Sequence, residues 1–247
     1  MHASEWTPDD DPSASSIQST LWSVILRTAN PKDPHRIAGL VRLTSTYSMA
    51  LYVYGRRKGL IPSEAKKAVC AFFDYVRAGR LGKGHDAHRD RLRSFLLSAY
   101  HEFLGVREPG AEKGTKGPGD YPKRSVFLAA EAWLNEFVEA QTPPEKIYHR
   151  AWARCILAQT YAQLKDELTS HHGRRVAEVI TAEVSPLERR EFNPELAPKL
   201  SLTPSQVLEI LGTSRRRLRE LILATLRETV SSQSDVEVEF WDLFRSL

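Results

Sequence analysis

Sulfur is scarce in this chain: two cysteines and two methionines in 247 residues. Cys70 and Cys155 both fall on apolar stripes of helical spacing, so they are expected as buried free thiols in a reducing compartment rather than as a disulfide framework. No hydrophobic run reaches the length needed to span a bilayer, and the acidic N-terminus lacks the pattern of a signal peptide, so a cytoplasmic protein off the membrane is expected. Alternation with a period of two is hard to find, which argues against sheets. There is no glycine-rich phosphate loop, nucleophile elbow or zincin motif, and no carboxylate paired with a histidine in an apolar setting. An enzyme is therefore not expected, nor is a cofactor. His85 and His88 with Asp86 and Asp90 have some metal-like donors, but no cysteine accompanies them and the spacing is poor, so no metal is assigned.

What is present is charge, unevenly placed. The net charge is +4. Residues 1–20 carry Glu5, Asp9, Asp10 and Asp11 with no lysine or arginine, whereas residues 52–107 hold twelve Lys and Arg against five Asp and Glu. The segment after Val230 is acidic again, with Asp235, Glu237, Glu239 and Asp242 against Arg245. A basic middle between acidic ends fits a polyanionic partner.

Apolar residues recur at helical spacing throughout, so the fold class is all-α. Residues 1–18 form a polar, acidic arm. A first helical block, residues 19–104, contains the stripes Ala65, Ala68, Val69, Phe72, Phe73, Val76 and Leu92, Phe95, Leu96, Ala99, Phe103. Ser63 suits a cap for the first of these helices. Between them, Arg80–Arg91 is a loop dense in cations and imidazoles. Residues 105–124 are punctuated by glycine and proline and read as a linker between two small domains. The second block, residues 125–247, has stripes through Trp133, Leu134 and Phe137, then a long helix ending near Gly173 with His171 and His172 as a solvated end. Trp22, Trp133, Trp152 and Trp241 all sit at apolar positions and are expected in the core.

Residues 202–230, LTPSQVLEILGTSRRRLRELILATLRETV, read as a helix-turn-helix. Thr203, Pro204 and Gln206 form a capping box, Gly212 stops the first helix and Ser214 caps the second. Arg215, Arg216 and Arg217 would then lie in a first turn, where the helix dipole disfavours cations unless an anion such as DNA phosphate offsets it. The second helix of such a motif reads the major groove. The acidic segment ending in VEVEFWDLFRSL is amphipathic and of helical character, suited either to dock on the chain's own C-terminal block or to contact an inhibitor.

The order of these parts resembles the extracytoplasmic-function sigma factors of bacterial RNA polymerase, in a branch common in planctomycetes. The resemblance rests on TLWSVIL (20–26), LRSFLLSAYHEFL (92–104), TPPEKIYHRAWA (142–153) and VEVEFWDLFRSL (236–247), met in the expected order over nearly the whole chain. It implies a sigma factor that directs core RNA polymerase to promoter DNA, with an N-terminal domain for the clamp and minus-ten element and a C-terminal domain for the minus-thirty-five element. Capture of an extruded base would fall to Lys83, His85, His88, Arg89, Arg91 and Arg93, whose charges and rings help to offset unstacking. Ser214, Arg215, Arg216, Arg217 and Arg219 would face the minus-thirty-five element. The polymerase-binding helix maps onto Lys67, Cys70, Phe72 and Phe73. Family members are commonly held by an inhibitory anti-sigma-type protein, and some occur beside CRISPR-linked proteases that destroy it; an inhibitor of this type is therefore an implied partner.

Two departures from the family pattern stand out. Where relatives carry an acid and a Gln–Glu pair before the two aromatics, this chain has Lys67, Cys70 and Ala71. About three helical turns are also missing between LGTS and RRRLREL. The alternative is a sigma-derived DNA-binding regulator, or an interaction module, that no longer binds polymerase in the standard way.

Overall fold

The computed structural model describes residues 36–81, 91–106, 122–139, 141–187, 192–230, 232 and 234–247. The fold is all-α. The helices are α1 (Arg36–Arg57), α2 (Pro62–Arg77), α3 (Leu92–Val106), α4 (Arg124–Phe137), α5 (Pro144–His172), α6 (Arg174–Glu183), α7 (Leu196–Leu200), α8 (Pro204–Arg227) and α9 (Asp235–Arg245). The expected arm at 1–18 lies outside the described residues, as do Trp22 and most of the expected linker.

At the centre is α1, in which every residue from Thr46 to Gly55 is buried. A helix that is apolar on all sides has no solvent face and must be surrounded. Its hydroxyls are satisfied locally where possible: Ser48 donates to the Thr44 carbonyl at 2.5 Å and Thr44 to that of Leu40 at 2.6 Å. Helices α2, α4 and α5 pack around it. The α4 contact is also polar, since Glu131 accepts from Tyr52 Oη at 2.7 Å and from Arg56 Nε at 2.5 Å.

Residues on both sides of 105–124 contribute to one hydrophobic core. Two features account for this: α1 offers apolar surface to both blocks, and α5 is long. Its 29 residues extend about 43 Å at 1.5 Å per residue. Along that length Tyr148 Oη donates to the Arg93 carbonyl of α3 at 2.9 Å, Tyr161 Oη to the Val184 carbonyl just beyond α6 at 2.9 Å, and Glu167 binds Arg217 of α8. A single helix thus joins elements from both blocks.

The turn in the expected helix-turn-helix is absent. α8 is one helix of 24 residues that passes through Gly212, Thr213 and Ser214. Its start is as expected, with Thr203 Oγ1 accepting from Gln206 N and Gln206 Oε1 accepting from Thr203 N. The reason for the continuity lies in phase. Val207, Leu211, Ser214, Leu218, Leu221 and Ile222 are buried on one unbroken stripe. Burying that stripe outweighs the cost of about 1 kcal/mol for an interior glycine. Other departures are smaller. Pro62, not a residue after Ser63, opens α2, and Glu64 Oε2 accepts from the Ile61 amide at 3.1 Å in place of a Ser63 cap. Phe137 and Trp241 are exposed rather than in the core. α5 does end at His171 and His172, both exposed, before Gly173 at φ +83°.

Candidate nucleic-acid interface

Of the minus-ten candidates, Lys83, His85, His88 and Arg89 lie in 82–90, outside the described residues. The flanks of that segment are anchored. Leu81 is buried on one side and Leu92 on the other, and the Leu92 amide donates to the Thr229 carbonyl at 3.2 Å. This bond places the start of α3 beside the end of α8.

Arg91 and Arg93 turn toward α9. Arg93 is buried, with Nε donating to Glu239 Oε1 at 2.7 Å and Nη2 to Glu239 Oε2 at 3.2 Å and Asp242 Oδ2 at 3.1 Å. Its Nη1 donates to His149 Nδ1 at 3.0 Å, and its guanidinium lies 4.8 Å from the Trp152 ring centroid. Arg91 pairs with Asp242, and with Glu239 at 3.2 Å. Glu239 itself has no solvent exposure. A buried charge is tolerated only when paired and hydrogen-bonded, and here each one is. The electrostatic consequences follow. Burial works to raise the Asp242 pKa, but the Arg91 hydrogen bond and the Arg91 and Arg93 charges prevail and hold it below its ordinary range. Burial, with the Arg93 charge, pushes the His149 pKa down to about 4 against Asp242 and Glu145. His149 is thus neutral, its Nδ1 an acceptor. Beside this cluster, Tyr47 and Trp152 are both fully buried, with the Trp152 side chain at the Tyr47 phenol.

The minus-thirty-five candidates are dispersed around α8. Ser214 is buried and its hydroxyl unpartnered, so it is neither a cap nor a surface contact. Arg215–Arg217 are mid-helix, so the dipole penalty expected of a first turn does not apply to them. Arg215 is half-buried and Arg216 exposed. Arg217 binds Glu167 through Nε at 2.8 Å and Nη2 at 2.9 Å, which raises its own pKa and lowers that of Glu167. Arg219 donates to Glu237 Oε1 at 2.8 Å, with its guanidinium 4.5 Å from the Phe240 ring centroid. Arg91, Arg93 and Arg219, assigned by sequence to separate domains, therefore meet on the same helix, α9.

The polymerase-binding candidates are not a common surface. Phe72 and Phe73 have no exposure and form ring contacts inside the bundle, Phe72 with Tyr100 at 5.1 Å and with Phe103 at 5.6 Å between centroids. Their place on the apolar stripe of α2 explains this. Lys67 is exposed and Cys70 half-buried. Among the described residues no cluster of His, Cys, Asp or Glu is suited to hold a metal, and no helix is long and apolar enough to cross a membrane.

Glu239 and His149 escaped the sequence reading. A signal was present: Val236, Glu239, Phe240 and Leu243 are spaced i, i+3, i+4, i+7, so Glu239 interrupts an apolar stripe. Arg93, Leu96 and Tyr100 share the same property. A charge on a buried stripe calls for a buried partner, though spacing alone does not say which one. Comparison with protein-family models, curated proteins and solved structures found no match.

Proposed function

We propose that this chain is a sigma-type DNA-binding protein that directs core RNA polymerase to promoters. It acts by binding and strand capture, without chemistry of its own. The observation that carries the reading is the convergence of Arg91, Arg93 and Arg219 on one helix, beside Leu92, whose amide ties the start of α3 to Thr229. Arginine binds phosphate through a planar fork of donors, and its charge makes such binding strongly salt-dependent. Arg216 adds an exposed cation on α8. The order of sigma-like segments along the chain supports the same reading, with an inhibitory anti-sigma-type protein as a further partner.

A second reading, a sigma-derived DNA-binding regulator, draws support from exposed Lys67 and half-buried Cys70 and Ala71 on α2, a small, basic surface in place of the acidic, amide-bearing contact of the family. Promoter-dependent transcription with reconstituted core polymerase on genomic fragments separates the two. Specific initiation supports the first; salt-sensitive footprints without initiation support the second. Neither activity overturns both.

A further inference from the structure

We infer that α9 is an acidic cover on a polyanion-binding surface, with its carboxylates standing where nucleic-acid phosphates bind. This inference rests on the DNA-binding reading above and assigns its regulation. Three guanidiniums, from two segments more than a hundred residues apart in sequence, meet three carboxylates of one helix: Arg91 and Arg93 meet Glu239 and Asp242, and Arg219 meets Glu237. The geometry divides the contacts into an anchor and a rim. The Arg93–Glu239 pair, 8% and 0% exposed in its side chains, holds the helix down together with Val236, Phe240 and Leu243. Arg91 and Arg219, 31% and 40% exposed, lie at the edge and reach solvent once their carboxylates are neutralised.

The remaining charges facing this rim are few. Asp242 also accepts from Arg245 of its own helix at 2.8 Å, Asp235 acts on Arg91 through space, and His149 is neutral. Within the described residues α9 is also the last element, and Val238 and Trp241 on its outer face are exposed.

The test measures anisotropy of a labelled DNA duplex, and of its single strand, with the full chain and with the E237Q/D242N variant across a salt series. Each freed guanidinium adds about one phosphate contact. The variant is therefore expected to bind about tenfold more tightly at low salt, with a slope of log K against log salt steeper by about 1.8. Adding R91Q and R219Q to that variant is expected to abolish the gain. E237Q alone alters only an exposed pair, keeps the fold, and is expected to give about half of the added slope. Affinity and slope equal to the wild type in a folded E237Q or E237Q/D242N protein overturn the cover and leave the DNA-binding reading intact. Absence of binding by every form, with and without core polymerase, overturns both.

Discussion

Replacing Gly212 with alanine separates a continuous α8 from a helix-turn-helix by the sign of its effect. In the structure Gly212 is exposed in the interior of the helix, its φ is not positive, and a Cβ there meets no atom within 4 Å. Alanine then removes backbone entropy from the unfolded chain at no steric cost, and a stabilisation of about 1 kcal/mol is expected. For a chain of this size that corresponds to roughly 2–4 °C in melting temperature. A glycine that ended one helix in the left-handed region would behave in the opposite way, since alanine there costs about 1–2 kcal/mol. Urea denaturation followed by circular dichroism reads the difference directly. A loss of about 1 kcal/mol or more would refute the continuous helix and restore the turn.

The buried ion pair should show strong coupling. Arg93→Met leaves Glu239 buried with only Arg91 at 3.2 Å beside it, and a loss of about 3 kcal/mol is expected. The double variant R93M/E239L is expected to recover most of that loss, since an apolar pair of similar volume has no stranded charge; a double variant whose cost equals the sum of the singles would show that the pair is not coupled. Acid should weaken the protein before its carboxylates titrate. His149 stays neutral in the native state down to about pH 4, whereas the unfolded chain takes up its proton near pH 6.5. Because the folded pKa is the lower one, stability is full above about pH 6.5 and falls by up to roughly 3 kcal/mol as pH drops to about 4. A His149→Gln chain with the same pH dependence in that window would remove His149 as its source. Below the ordinary carboxylate range, loss of the depressed Asp242 and its pairing to Arg91 is expected to add to the effect. Ser214→Ala deletes a buried hydroxyl that has no partner, so denaturation should show no loss, and a gain of up to about 1 kcal/mol is expected; a loss above that size would mean the hydroxyl is bonded.

Helix identity was legible because it is local. The stripes of α2 and α3, the capping box of α8 and the end of α5 at Gly173 all follow from period and end signals that act within a few residues. The same locality misled the reading at Gly212, where a glycine with a serine two residues on looked like a stop and a cap. The spacing Val207, Leu211, Ser214, Leu218 held the contrary signal of one unbroken face. Phe72 and Phe73 were legible as core, and it was the family mapping that drew them to the surface.

By itself, then, the sequence determined an all-helical chain, the residues that line each apolar stripe, and a basic middle flanked by acidic ends. Only the tertiary structure decided that these stripes close into one core, and that Arg91, Arg93 and Arg219 spend their charge on Glu237, Glu239 and Asp242. The physical reason is distance along the chain. A helix forms from contacts three or four residues apart, but a buried ion pair joins residues some 146 apart. Its partners are selected by how α1 and α5 bring the helices together, which periodicity within any one segment does not encode.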